Sequence, residues 1–286
     1  MWMVMAAGSA FFAGVTSILA KIGIRDVDSN LATALRTSVV VVFSWLMVLV
    51  SGAMGDISRL TGSTLVFLVL SGLATGASWL CYFRALQLGD VNQVVPVDKS
   101  SIILTVVLAF IVFGETVSAL KCAALVLIGV GTLLMIERRS AQPGRHRGRK
   151  WLLYAVLSAV FASLTSILGK IGVSGINSNL GTAIRTVVVL VFAWGIVLAQ
   201  GKQRQIASID RRSWLFLVLS GVATGLSWLC FYNALANGPA SVVVPIDKLS
   251  VLITVAFASL FMHEHLSKKS ALGLALLTAG TLMMAL

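Results

Sequence analysis

Apolar runs of about 20 residues, long enough to carry a helix across a hydrocarbon core, recur along nearly the whole chain. They fall at roughly 2–24, 31–52, 64–87, 94–114, 119–137, 151–173, 180–200, 213–236, 242–262 and 267–286, which predicts ten spans. The runs are rich in Ala, Leu, Val and Gly and lack period-2 alternation, so they read as helices rather than barrel strands. The expected fold class is therefore an all-α membrane protein.

The polar positions between and within these runs repeat at a fixed interval. Lys21 returns as Lys170, Arg36 as Arg185, Asp98 as Asp247 and Glu115 as Glu264, each 149 positions later (170 − 21 = 149). The run Phe67-Leu68-Val69-Leu70-Ser71-Gly72 reappears unchanged as Phe216-Leu217-Val218-Leu219-Ser220-Gly221. An offset that survives loops as well as spans marks a duplicated unit. The chain divides into repeat 1 (1–137), a basic linker (138–150) and repeat 2 (151–286). With five spans per repeat, an odd number, the second copy enters the membrane from the opposite side, so the repeats are expected to be inverted.

Composition agrees on the solvent: 58% of the 286 residues are hydrophobic and 11% charged, with a mean hydropathy of +0.98. A water-soluble globule has no means of hiding so much apolar surface. The first span lacks a basic leader and matches the interior span 151–173 in pattern, so it is expected to remain in the mature protein. The net charge of +12 sits mostly on one side of the membrane. That side carries Lys21, Arg25, Arg84, the linker residues Arg138, Arg139, Arg145, Arg147, Arg149 and Lys150, then Lys202, Arg204, Arg211, Arg212, Lys268 and Lys269, while the other carries chiefly Arg59 and Lys121. Basic residues in short loops stay in the cytoplasm, which places the linker inside and both termini outside; the host is expected to be the plasma (inner) membrane. The basic stretch is short and has no interleaved aromatics, so a nucleic-acid partner is not expected.

Ionisable residues at membrane depth mark function more often than elsewhere. Arg36 lies near the start of span 2, and Asp98 and Lys99 lie early in span 4, after Pro96. Arg185, Asp247 and Lys248, after Pro245, form the repeated cluster. Each cluster reads either as a structural Arg–Asp pair fixing helix packing or as a gate closing one mouth of a central pathway. Lys21 and Lys170 are expected to snorkel towards the interface. Span 3 carries Thr75, Ser78, Trp79 and Tyr82 at helical spacing, repeated in span 8 as Thr224, Ser227, Trp228 and Phe231. Ser101 and Thr105 share the face of Asp98, and Ser250 and Thr254 that of Asp247. These stripes suit a cavity wall or hydrogen bonding between helices. Gly72 with Gly76 and Gly221 with Gly225 are spaced to let helices approach closely.

Motifs of soluble enzymes are absent: the chain has no phosphate-cradling Gly-rich loop, no nucleophile elbow and no zinc-protease helix. His263-Glu264-His265 puts its histidines on different helix faces, so a metal is not expected. Glu115 and Glu264 are placed to cap the following helix or pair with a base. Cys81, Cys122 and Cys230 lie in apolar segments and read as packing residues. No cofactor or enzymatic activity is implied.

The unit resembles an EamA domain of the drug/metabolite transporter superfamily, and the resemblance covers the chain twice. The residues that carry it are Ala20-Lys21-Ile22-Gly23, Thr33-Ala34-Leu35-Arg36-Thr37, Ser71-Gly72-Leu73-Ala74-Thr75-Gly76-Ala77-Ser78-Trp79, Val94-Val95-Pro96-Val97-Asp98-Lys99 and Phe113-Gly114-Glu115-Thr116. The resemblance implies an inverted-repeat transporter in which helices 1–4 and 6–9 line a central cavity and 5 and 10 lie at the periphery or support association, a homodimer included. Members of this superfamily commonly keep both termini in the cytoplasm; the basic residues here argue the reverse. The expected partners are the lipid bilayer, a small solute and a proton or other coupling ion. The expected function is secondary transport of a small polar metabolite, anionic or zwitterionic, such as an amino acid or organic acid. The alternatives are export of a cationic drug or metabolite by proton antiport and a non-transporting scaffold subunit.

Overall fold

The computed structural model describes residues 1–23, 27–88, 97–98, 100–116, 118–134, 150–250, 252–254, 256 and 267–286, without the side chains of Lys21, Phe83, Leu86 and Gln87. The first repeat contributes α1 (Trp2–Gly23), α2 (Ser29–Val50), α3 (Gly62–Leu88), α4 (Ser101–Phe113) and α5 (Ala119–Leu134). The second contributes α6 (Lys150–Val173), α7 (Ser178–Ala199), α8 (Arg211–Asn237), α9 (Ala240–Lys248) and α10 (Lys268–Ala285). Six of these, α1, α2, α3, α6, α7 and α8, contain stretches long and apolar enough to cross a membrane. α4 and α5 are shorter apolar helices. α9 starts the expected ninth span, much of which lies outside the described residues, as do Pro96 and most of the linker.

Helix starts obey the same 149-residue interval as the sequence. Asp28 caps α2 through the amides of Asn30 and Leu31, and Asn177 caps α7 through that of Asn179. Thr61 and Asp210 do the same for α3 and α8, and Ser118 and Ser267 for α5 and α10. Each side-chain oxygen fills an amide that the first helical turn leaves without a partner. Between the second and third helices of each half, Gly52 and Gly201 adopt φ of 67° and open a short 3-10 turn, Ala53–Arg59 and Lys202–Ser208. A left-handed residue there favours glycine.

Packing runs mainly between halves. α1 lies along α8 and α6 along α3; α2 meets α7, α4 meets α9 and α5 meets α10; α2 also meets α8, as α7 meets α3. Each of these contacts thus returns with the halves exchanged, in places down to single residues. A Cβ built on Gly72 would fall 2.7 Å from Val188 Cβ and 3.0 Å from the Arg185 carbonyl; on Gly221 it would fall 2.7 Å from Val39 Cβ and 3.0 Å from the Arg36 carbonyl. Gly76 and Gly225 approach Phe192 and Phe43 in the same exchanged way. In the α5–α10 seam, Gly131 abuts the Gly273 carbonyl and Gly280 the Ala124 carbonyl. These contacts confirm the close-approach reading of the glycine pairs.

The surface is apolar where a soluble protein's would be polar. Val42, Leu46, Leu49, Ile111, Val126, Val191 and Leu282 face outward, while Ser9, Ser44, Ser71, Thr75, Ser158, Thr182, Arg185 and Ser227 are buried. Hydrocarbon is the solvent such a distribution suits.

Candidate functional site: two cavities sharing a pair of tryptophans

α2 and α7 each aim an arginine inward at the same point of the repeat, and each arginine is held by the third helix of the opposite half. Arg36 donates through Nη2 to Thr224 Oγ1 at 2.9 Å. Arg185 donates through Nη2 to Thr75 Oγ1 at 2.7 Å and through Nε to Ser71 Oγ at 3.2 Å. Both threonines spend their own proton one turn back along their helix, Thr224 on the Ser220 carbonyl and Thr75 on that of Ser71. Their lone pairs are then free to receive the guanidinium.

The aspartates go elsewhere. Asp247 accepts from Ser9 Oγ at 2.6 Å, and Asp98, in the turn before α4, accepts from Ser158 Oγ at 2.7 Å. Ser227 Oγ in turn donates to the Ser9 carbonyl and Ser78 Oγ to that of Ser158. The carboxylates therefore tie α9 to α1 and the segment before α4 to α6. The Arg36–Asp98 and Arg185–Asp247 pairing expected within each half is absent from the ion pairs among the described residues. Hydroxyls of the other half are nearer partners for all four groups. Lys248 lies 3.7 Å from Asp247; Lys99 lies outside the described residues.

Two cavities open between these groups. The first, about 310 Å³, is lined by Thr75, Ser78, Trp79, Arg185, Ser227, Trp228, Tyr232, Asp247 and Lys248, with Ala13, Ala162, Thr165, Ser166 and Phe231. The second, about 240 Å³, is lined by Thr33, Arg36, Thr37, Val40, Thr224 and the same two indoles, Trp79 and Trp228. The tryptophans form the wall common to both. Arg185 is 1% exposed and packed between the rings of Trp228 and Tyr232, with its Cζ 5.1 Å and 4.5 Å from their centroids. Arg36 is only half-buried.

Of the residues singled out in the sequence, Thr75, Ser78, Trp79, Thr224, Ser227, Trp228, Arg36, Arg185, Asp247 and Lys248 line one or both cavities. Tyr82 packs instead in a side cluster with Ala85, Val97, Trp151, Tyr154 and Ala155. Ser101, Thr105, Ser250 and Thr254 line neither: Thr105 donates to the Ser101 carbonyl and Thr254 to that of Ser250. Ser9, Thr165 and Tyr232 were missed. Ser9 with Ser158 and Thr16 with Thr165 recur at the 149-residue interval, a signal that weighting neutral hydroxyls like charges would have caught.

Near one end of the bundle, Glu115 receives the Ala240 and Ser241 amides at 2.7 and 3.0 Å, the Ser241 hydroxyl, and Lys170 Nζ at 3.3 Å. It caps α9 of the other half rather than the helix that follows it, and it pairs with Lys170, which also donates to the Gly238 carbonyl. Burial alone pulls the Glu115 carboxyl upward; the Ser241 and Ala240 hydrogen bonds, then the Lys170 charge, outweigh it and hold it below its ordinary range. Glu264 and the histidines beside it lie outside the described residues, and no cluster of potential metal ligands occurs among those described. The free cysteines Cys81 and Cys230 are half-buried and Cys122 is exposed.

The family model for the EamA-like transporter family matches residues 1–137 and again 149–286. An uncharacterized transporter of the cobO 3' region in Sinorhizobium sp. is 46% identical over 137 residues, which are 48% of this chain and 97% of that protein. The uncharacterized transporter YxxF of Bacillus subtilis is 20% identical over 217 residues, 74% of this chain and 68% of its own. A solved crystal structure shares the fold at a TM-score of 0.76 and 19% identity, covering 99% of this chain and 95% of that one. An all-helical chain with an apolar exterior, each of whose halves fits that model, belongs to the EamA-like transporter family and is a multi-pass membrane transporter.

Proposed function

We propose that the protein is a secondary transporter that carries a small polar solute by alternating access between two inverted five-helix repeats, spanning the membrane ten times. The observation that carries this reading is the pair of cavities set back to back on Trp79 and Trp228, each with one arginine from the equivalent turn of α2 or α7. The exchanged helix contacts support a twofold relation between the halves, and an odd number of spans per half makes that relation an inversion. The Sinorhizobium relative, matched over 97% of its length by about half of this chain, fits a single copy of the same unit. In the orientation the basic residues favour, linker 138–150 is cytoplasmic, both termini are external and the host is the plasma membrane.

The charged inventory at membrane depth favours an anionic or zwitterionic solute, such as an amino acid or organic acid, driven by a proton or another ion gradient. The paired indoles keep a second reading in view, export of a cation held by cation–π contact and Asp247. Proteoliposomes offered labelled amino acids, organic acids and quaternary amines separate these. Uptake competed by carboxylates and not by quaternary amines is the expected result; the reverse pattern selects the cation exporter, and no uptake of any solute leaves the scaffold reading.

A further inference from the structure

We propose that Arg36 and Arg185 are two successive docking points for a single carboxylate of the transported solute, one in each cavity, with Trp79 and Trp228 as the barrier it passes. The inference rests on the transporter reading and specifies the chemistry of its route. It begins from two unfilled donors: Arg185 Nη1 and Arg36 Nε are buried without hydrogen-bond partners among the described residues. A buried guanidinium with neither a counter-charge nor a full set of acceptors is costly, and at membrane depth such a group persists where a ligand completes it.

The other polar groups narrow what that ligand is. In the smaller cavity, Thr33, Thr37 and Thr224 spend their hydroxyl protons on the carbonyls of Ser29, Thr33 and Ser220. In the larger, Thr75, Ser78, Thr165 and Ser227 spend theirs on the carbonyls of Ser71, Ser158, Phe161 and Ser9. With these donors occupied, the guanidinium edges and the indole N–H groups remain to receive an acceptor-rich end, joined in the larger cavity by the Ser166 hydroxyl and the Lys248 ammonium beside Asp247. Arg36 is the one charged residue among the described lining of its cavity, which matches a monoanion better than a phosphate dianion that would require a second cation. A carboxylate fits. In the larger cavity an ammonium group on the same solute would meet Asp247 in competition with Lys248, which lies 3.7 Å from it.

The two stations are unequal in this conformation. Arg185 is 1% exposed and lies against the rings of Trp228 and Tyr232, so docking at its Nη1 requires those neighbours to yield. Arg36 is the more exposed. Moving the carboxylate between arginines thus couples to the rings that separate the cavities, and the solute supplies the unequal affinity that an exchange of states requires.

The test uses the purified full-length protein, with propionate, L-alanine and benzoate set against their neutral amides, and inorganic phosphate as control. The carboxylates are expected to raise the melting temperature, and the amides and phosphate are not. Arg36→Gln and Arg185→Gln should each keep a reduced shift, because one station survives, yet lose uptake at least tenfold in proteoliposomes; the double variant should lose the shift entirely. Should a Gln variant fail to fold, Arg36→Lys or Arg185→Lys replaces it, and the reduced shift is still expected because a fork is exchanged for a point charge. Three results each overturn the proposal: no carboxylate stabilises the wild type, amides or phosphate match the carboxylates, or one single variant abolishes the shift while the other changes nothing. If the arginine-dependent shift is present but the wild type moves no solute, docking stands and the transporter reading fails.

Discussion

Arg36 and Arg185 occupy the same place in two copies of one sequence and yet live in different surroundings. Arg185 is bound by Ser71 and Thr75 and lies against the rings of Trp228 and Tyr232; among the described residues Arg36 is bound by Thr224 alone. Part of the difference is written in the residues, since Tyr232 returns in the first half as Phe83. Part is conformation: Ser220, the counterpart of Ser71, donates to the Leu217 carbonyl of its own helix. Ser71 donates to the Thr165 carbonyl across the interface and accepts Arg185. A duplicated protein that alternates between two faces has to be unequal in any one state. The scaffold repeats; the site does not.

The largest effect in this comparison is expected where charge ties the halves together. Glu115→Gln removes the charge partner of Lys170 and the carboxylate that caps α9, and losing a part-buried pair together with a cap costs about 2–4 kcal/mol. Because the folded carboxyl is held below its ordinary value of 4.5, its contribution is complete above that value and is lost as pH falls through the lower folded value. Acid unfolding profiles should therefore steepen below about pH 4.5 in the wild type, and the variant should lose that dependence. An unchanged profile would remove Glu115 from the account.

A smaller effect tests the inequality itself. Ser71→Ala leaves the Nε of a buried guanidinium without an acceptor and should cost about 1–3 kcal/mol. Ser220→Ala removes only a hydroxyl bonded within its own helix and should stay within about 0.5 kcal/mol. Equal losses in thermal melts would mean the halves are alike at this level. Gly72→Ala and Gly221→Ala probe the scaffold from the other direction: each adds a Cβ against a valine and an arginine carbonyl at matching distances. Both should lose about 1–3 kcal/mol from overpacking, and they should lose it equally.

The sequence carried the duplication, the membrane solvent, most helix limits and the inward-facing stripe from Thr75 to Trp79, because spacing and hydropathy are local properties. Partner choice was not local. Arg36 and Asp98 attract one another on paper, but Thr224 and Ser158 reach them across the interface between halves, and no pattern within one repeat ranks a hydroxyl from the other copy above an opposite charge nearby. Of the two readings for Glu115, pairing with a base holds, in Lys170, while the cap expected for α5 goes to α9, whose first amides it meets. Exchange between halves was visible as an offset; which residues it would join was not.

The proposed alternating access between inverted repeats requires the two cavities to open to opposite faces of one membrane, which is tested by single cysteines at Thr33 and Ser166 in a background with Cys81, Cys122 and Cys230 replaced. Right-side-out and inverted vesicles carrying each variant are treated with an impermeant thiol reagent. The account predicts that Thr33→Cys labels from one face only and Ser166→Cys from the other only. Labelling of both from the same face would contradict it.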